Sequence, residues 1–503
     1  MKRRDFLKTA GLTVAGASLT RMGWASPAEG TGPVGNVVII HVDDLGWRDL
    51  GCMGSPVYET PHIDELAAGG TLYTNAYAAA ALCTPARACL LTGAQTPRHE
   101  VYTVVKNRGK KTTWKVTPRK NQQFLPKTFP TIGTVLTRRG IANGAIGKWH
   151  IGVGSPSHGF DEGKWGGYLG MPINYFAPFK LGFLPQDVPD GSYLPTYIRK
   201  AGVDFLERHK DEPFFLYFST YLPHDEIKNE DGSTLTAPEP VVDKYRRKIA
   251  AMQAAGKDLQ GHDNPTYAAM IEETDRSVGA IMGKLDELNL REKTLVVFIS
   301  DNGGHRNYTS NQPLRGFKGQ LHEGGIRVPM IASMPGRVAA GRVSHEPVTG
   351  LDLYPTICRF MNVAPTNPDQ VDGVDLTPVL FEGRPLGERD LFWHFPCYGS
   401  RVPPRSVMRR GDWKIHHRYE DDGYELYNLK RDIGEAQDLA EQEPEVLARM
   451  TRQLHACYQR YGAAASLPAN PDYDPTVEGP DRSPPPRPPL TTSEQAYAQL
   501  GLV

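Results

Sequence analysis

NVVIIHVDDLGW, residues 36–47, is a near-continuous apolar run that ends in two adjacent carboxylates. A run of this length and β-branched content is a strand buried on both faces. DEPFFLYFSTYLPH (211–224) and TLVVFISDNGG (294–304) repeat the pattern, and GIANGAIGKWHIG (140–152) repeats it more weakly. Between them, Ile271, Val278, Ile281, Met282, Leu285 and Leu288 recur at helical spacing across 265–289,. Strands alternating with helices predict an α/β fold: a large, mostly parallel sheet with helices on both faces.

The texture changes near residue 386. SVMRRGDWKIHHRYEDDGYELYNL (406–429) predicts a small antiparallel sheet, and 436–462 reads as one amphipathic helix. Together they predict a C-terminal α+β subdomain over 386–465, following a catalytic domain over 34–385. Residues 466–503 are proline-rich, a composition expected to wrap or dangle without burying a core,.

The 503-residue chain carries 57 Lys plus Arg against 57 Asp plus Glu, so overall charge points to no nucleic-acid partner,. Its first residues, MKRRDFLKTAGLTVAGASLTRMGWAS, hold Arg3 and Arg4 ahead of a short apolar stretch and a small-residue cleavage site. This is the pattern of a twin-arginine export signal over 1–25. No stretch is long enough to span a bilayer, so a periplasmic or secreted protein without a membrane anchor is expected. That route carries folded proteins, so any modification needed before folding is installed inside the cell. Six cysteines in a chain this long do not make a disulfide framework, though one or two bridges are open,.

In open α/β sheets the site lies beyond the carboxyl ends of the strands. Those ends carry Asp43 and Asp44, then Lys148 and His150, then His224, then Asp301 and Asn302. Each alone is ordinary turn chemistry; all together at one sheet edge they are a site. Asp43, Asp44, Asp301 and Asn302 offer only oxygen, which suits a hard cation such as Ca²⁺ or Mg²⁺, and the histidines lack a zinc-like spacing, which disfavours zinc. Lys148, His150, His224 and Lys318 add cationic or proton-donating groups, so the site suits an anionic tetrahedral group.

Cys83 opens the stretch CTPARACLLTG (83–93). Pro85 suits the first turn of a helix, and Arg87 lies four residues on, on the same face. Three readings of Cys83 remain open on this basis: a structural thiol, a bridge to Cys89, or a thiolate favoured by the helix N-terminus.

C-T-P-A-R followed by LLTG resembles the C-x-P-x-R signature of the type I sulfatases, within the alkaline phosphatase superfamily. VDDLGW, GKWHIG, LPH, SDNGG and PLRGFKGQLHEGGIRVPMIA follow in the family's order, and GDWKI…ELYNLKRDIGEAQDLA resembles its C-terminal subdomain. The resemblance covers about 34–462. It implies that a maturation enzyme converts Cys83 to formylglycine, whose hydrate carries one hydroxyl to attack sulfur and a second to release sulfate. It implies that Asp43, Asp44, Asp301, Asn302 and modified Cys83 hold Ca²⁺. Arg87 and Lys148 would then steady the formylglycine, His150 would take a proton from it, and His224 and Lys318 would meet the sulfate and the leaving oxygen. Ala86 stands where many members have serine, and Asn174 in LGMPINYF stands nearest to a pocket serine of some members.

Residues 101–160 contain eleven Lys or Arg and no Asp or Glu, eight of them between Lys106 and Lys127. This is either a solvated insertion or a basic rim for a polyanion. The segment 391–414 resembles that of bacterial carbohydrate sulfatases, which makes His394, Arg401 and Arg405 candidate sugar or sulfate contacts; packing or capping of the small sheet is the equal alternative. The expected substrate is therefore a sulfated poly- or oligosaccharide. A small aryl sulfate, a phosphate or phosphonate ester, or a catalytically silent glycan-binding role are the alternatives.

Overall fold

A computed structural model describes residues 35–104, 111–179, 181–184, 187–227, 234–399, 402–478 and 485–502. The expected export signal, Arg401 and the basic residues Lys106, Arg108 and Lys110 lie outside these.

Fourteen strands form three sheets among the described residues. In chain order, β1 is Asn36–Val42, β2 Thr71–Tyr73, β3 Ala76–Tyr77, β4 Ala142–Gly147, β5 Glu162–Lys164, β6 Phe214–Ser219 and β7 Thr294–Ser300. They continue with β8 Met330–Ser333, β9 Arg342–Ser344, β10 Val348–Thr349, β11 Asp390–Phe395, β12 Arg405–Arg410, β13 Trp413–Arg418 and β14 Gly423–Asn428. The main sheet runs β5-β4-β6-β1-β7-β8-β2-β9. Its centre, β4-β6-β1-β7, is parallel throughout. The sheet is mixed rather than wholly parallel, because β8 runs antiparallel to both β7 and β2.

Alternation along β1 shows why the run 36–42 is apolar on both sides. Val38, Ile40 and Val42 face one core, with Leu194, Phe205, Tyr267, Ile271 and Ile281 from the helices Leu194–Arg208 and Pro265–Glu287. Val37 and Ile39 face a second core, with Leu90 and Leu91 of the helix Cys83–Thr92 and Leu353 and Ile357 of the helix Leu353–Phe360. Two cores flank one sheet, as expected of a doubly covered parallel centre.

The four-stranded antiparallel sheet β11-β12-β13-β14 is also sandwiched. Phe392, Met408, Ile415 and Leu426 pack on Met450, Leu454, Cys457 and Tyr458 of the helix Pro444–Tyr461. Trp393 and Val407, pointing the other way, pack on Tyr77, Leu321 and Ile326 of the main body. That helix begins at Pro444, not at 436: residues 436–443 turn, and Pro444 occupies the first helical position where its missing N–H costs nothing,.

The proline-rich tail departs from expectation. It does wrap, but it also buries side chains: Ala496, Tyr497 and Leu500 belong to the same core as Val38 and Ile40. All six cysteines are free, five of them buried, so no bridge joins Cys83 to Cys89. Cys89 packs with Ala79 and Leu351.

Candidate functional site

Register places the site. His41 pairs with Ser219, Val42 with Ser300 and Gly147 with Ser219, so β4, β6, β1 and β7 end level with one another. The loops leaving these ends carry Lys148, His224, Asp43 with Asp44, and Asp301 with Asn302. The helix Cys83–Thr92 starts over the same edge, with Leu82 as its extended N-cap residue.

Arg87 ties the pieces together. Its Nη1 donates to Lys148 O at 3.2 Å, to Tyr217 Oη at 3.2 Å and to Ser219 Oγ. Its Nε and Nη2 both donate to Asp301 Oδ2, at 3.1 and 2.8 Å. Lys148 Nζ donates to Asp43 Oδ2. Lys318 Nζ donates to Asp44 Oδ2 at 2.6 Å and stands 2.8 Å from His224 Nε2. The other ring nitrogen of His224 lies 2.7 Å from Asp225 Oδ1.

Cys83 is 1% exposed. Its Sγ lies 3.8 Å from Asp44 Oδ1, and one ligand atom from each of Asp43, Asp44, Cys83 and His224 falls within 4.8 Å of the others. Asn302 Nδ2 donates to Asp44 Oδ1 at 2.8 Å, and Asp301 Oδ1 accepts from the Asp44 N–H at 3.1 Å. The five residues expected to hold a metal are thus in one cluster. Asp43 Oδ1 and Asn302 Oδ1 are buried without a hydrogen-bond partner. Two buried, unpartnered oxygen acceptors among carboxylates fit a hard, oxygen-preferring cation.

Electrostatics sort the roles. Burial raises the Cys83 thiol, and Lys148 and Lys318 only partly offset it, so an activated thiolate does not fit here,. Burial would raise Asp44 and Asp301 as well. Lys318 and His224 outweigh it at Asp44, and Arg87 and Lys148 outweigh it at Asp301, so both sit below the ordinary carboxylate range. His150 is pushed well below 6.5 by burial and then by Lys148 and Arg87, leaving a neutral imidazole able to accept a proton. His224 moves the other way: burial and Lys318 lower it, yet Asp44 and Asp225 prevail and it stands above 6.5. The two imidazoles are thus shifted in opposite directions, one towards the neutral and one towards the charged form.

Backbone placement of His150 is specific. Its φ is 61°, and a Cβ at Gly170 would lie 2.1 Å from its Cε1, so position 170 admits only glycine beside this ring,. Its Nδ1 is buried and unpartnered.

A cavity of about 700 Å³ opens over the cluster, lined by Cys83, His150, His224 and Lys318 at its base and by Tyr168, Phe124, Arg306 and Tyr398 on its walls. A larger one, about 910 Å³, lies apart from the cluster between Arg327, Arg409 and Tyr497 and holds none of these groups.

The substrate contacts expected from the sequence fare differently. Asn174 is absent from the cavity wall and donates to Pro178 O at 2.9 Å. His394 and Arg405 are corrected to structural positions: both are at most 5% exposed. The His394 ring nitrogen Nδ1 is 2.7 Å from Ser406 Oγ, and Arg405 Nη1 is 3.4 Å from His416 Nδ1. The antiparallel sheet buries them against its own neighbours. Four residues that sequence reasoning missed surround the cluster: His41, Tyr217, Ser219 and Asp225. A polar residue inside an otherwise apolar strand was the available signal for the first three. For Asp225 it was a carboxylate directly after His224.

The chain is similar to known proteins along most of its length. The family model described as Sulfatase matches residues 35–363. A second, described as N-sulphoglucosamine sulphohydrolase, C-terminal, matches residues 317–460. N-acetylgalactosamine-6-sulfatase of Canis lupus familiaris is 31% identical over 440 residues, covering 80% of this chain and 76% of its own. Arylsulfatase A of Homo sapiens is 29% identical over 474 residues, covering 86% and 84%. The crystal structure of Ps i-CgsB, also solved in complex with k-i-k-neocarrahexaose, superposes with a TM-score of 0.70 at 27% identity, covering 87% of this chain and 95% of that one.

Proposed function

The chain belongs to the sulfatase family of hydrolases, and on that premise we propose that it removes sulfate from a sulfated poly- or oligosaccharide, using a formylglycine made from Cys83 beside a bound Ca²⁺. One observation carries the reading: Cys83 lies at the floor of the cavity, at a helix start, with Asp44 on one side and Lys148 and Lys318 within electrostatic reach.

Asp43, Asp44, Asp301 and Asn302, with the residue at 83, would hold the metal. Bound there, Ca²⁺ would supply charge stabilisation for the sulfate oxygens. The formylglycine hydrate would supply the attacking hydroxyl and the second hydroxyl that releases sulfate. The chain's own groups do the rest. Arg87 fixes the helix that presents residue 83, and Lys148 balances the Asp43 charge. His150, neutral, accepts the proton of the second hydroxyl. Lys318 meets the sulfate, and His224 donates its proton to the leaving sugar oxygen, with Asp225 holding the ring.

Because Cys83 is 1% exposed, its conversion belongs to the unfolded chain. This supports modification before export by the twin-arginine route that Arg3 and Arg4 suggest, and a maturation enzyme as obligatory partner. No described helix is long and apolar enough to cross a membrane.

For a sulfated glycan rather than a small aryl ester, the support is the basic segment. Lys111, Lys115, Arg119, Lys120 and Lys127 are exposed, and Gln123 and Phe124 of the same segment line the cavity. A cationic rim of this kind steers polyanions, and salt screens it. Turnover of a sulfated polymer should therefore fall more steeply with ionic strength than turnover of an aryl sulfate.

Peptide mass spectrometry on the segment containing Cys83 tests the core of the reading, since conversion replaces the thiol by an aldehyde. Cys83→Ala and Cys83→Ser should each lose nearly all sulfatase activity. A fully active alanine variant would sink the mechanism.

A further inference from the structure

The charged side chains on the cavity wall are almost all engaged. Lys318 is bound to Asp44 at 2.6 Å, and Asp225 to His224 at 2.7 Å and to Tyr308 Oη at 3.0 Å. Arg306 is the exception. It lines the same cavity, is exposed, and has no carboxylate partner among the described residues. It is nonetheless held in place, because its guanidinium stacks over the Phe317 ring with Cζ 5.0 Å from the centroid. Phe317 precedes Lys318, so the Arg306 guanidinium rests against the segment that carries Lys318.

Arg306 and Lys318 line the cavity as cations. Tyr168 and Ile227, which also line it, are 48% and 46% exposed, unusual for large apolar groups. Tyr168 is steadied edge-on by Phe183 at 5.7 Å between centroids. A lining that offers both exposed apolar groups and cations fits a ring with a C–H face and charged substituents, and an aromatic surface suits that face. Guanidinium groups recognise planar and tetrahedral oxyanions through paired N–H donors.

We propose that Arg306 binds a second anionic group of the substrate, a sulfate or a carboxylate, distinct from the sulfate ester that is cleaved. The substrate is thereby a saccharide carrying at least two negative charges, with its ring against Tyr168. This rests on the carbohydrate reading above and narrows it.

The test is calorimetric titration of the full-length Cys83→Ala protein in Ca²⁺, which binds without turnover. Four probes are used: a small aryl sulfate as reference, a disaccharide with one sulfate, its disulfated counterpart, and a disaccharide with a sulfate and a uronate carboxylate. Both doubly charged probes, or one of them, should bind more tightly than the singly charged disaccharide, and which of the two gains identifies the anion. Adding Arg306→Ala should remove roughly tenfold or more of that affinity while leaving the singly charged disaccharide unchanged, the usual reach of one charge-assisted contact. Arg306→Lys should keep part of it. Equal binding of all three disaccharides, or an Arg306→Ala effect that is the same on each, overturns the subsite and leaves the carbohydrate reading standing. If no disaccharide binds while a small aryl sulfate does, the subsite and the carbohydrate reading fall together.

Discussion

Arg87 Nη2 lies 2.8 Å from Asp301 Oδ2, and both side chains are wholly buried. The same guanidinium reaches the ends of β4 and β6 through Lys148 O, Tyr217 and Ser219, so one side chain of the Cys83 helix fastens three strand ends. Removing it leaves Asp301 without its ion-pair partner in a buried site. Arg87→Ala should cost about 3–5 kcal/mol of stability, the range for breaking a buried ion pair on one side. Arg87→Lys keeps the charge but cannot reach all these acceptors, so it should fold better than the alanine variant and still lose most activity. Urea unfolding with parallel turnover measurements separates the two. An alanine variant with an unchanged midpoint contradicts the fastening role.

His224 should set the alkaline limb of the rate profile. Its pKa stands above 6.5 because Asp44 and the Asp225 hydrogen bond outweigh burial and Lys318. In the proposed role of donor to the leaving oxygen it would work protonated, so kcat/KM should be full below its pKa and fall as pH rises through it. Asp225→Asn removes one of the raising contributions, and the limb should move to lower pH. A limb that stays where it was in the asparagine variant takes His224 out of the acid role.

Chelation should act on both stability and turnover. Asp43 Oδ1 and Asn302 Oδ1 are buried acceptors without hydrogen-bond partners. A cation that satisfies them binds the folded state alone and stabilises it by about 2.7 kcal/mol at a hundredfold excess over its Kd. Protein stripped with a chelator should melt at lower temperature and turn over little, and Ca²⁺ should restore both more fully than Mg²⁺. Thermal unfolding with and without added Ca²⁺ reads this independently of activity, and an unmoved melting temperature argues that the acceptors hold no metal.

What the sequence made legible follows from the parallel centre of the sheet. Strands such as 36–42 and 294–300 are apolar on both faces, so their ends stand out, and Asp43, Asp44, Asp301 and Asn302 are read directly from those ends. His224 and Lys148 follow by the same rule. The antiparallel β8 escaped because MIAS is four residues of ordinary apolar chain, and direction leaves no mark on composition. His394 and Arg405 stayed ambiguous because a polar residue in a short antiparallel sheet can face either side, and here the neighbouring Ser406 and His416 hold them inside. The helix start at Pro444 was blurred by the acids and glutamines of 436–443, which suit a turn as well as a helix.

The tail was misjudged for a different reason: proline-rich composition forbids a core of its own but does not forbid lending side chains to another. Tyr497 is buried, accepts from Arg327 Nη2 at 2.7 Å, donates to Asn75 Oδ1 at 3.1 Å and stacks on His345 at 4.4 Å. Further up, Asn470 Nδ2 donates to Lys111 O and Trp114 O, both at 2.8 Å, and the Asp474 N–H donates to Thr112 O. Trp114 in turn stacks on Tyr398 of the cavity wall, with ring centroids 5.2 Å apart. The two ends of the tail therefore predict different losses. Tyr497→Phe should cost about 1–3 kcal/mol, because Asn75 and Arg327 each lose a buried partner, with little change in KM. Deleting 466–503 should lower stability further and also raise KM for a sulfated polymer, because the basic segment loses the clamp that holds it beside the cavity. Melting temperature and KM measured on both variants decide the matter: if the truncated chain keeps both values, the tail is merely draped over the surface.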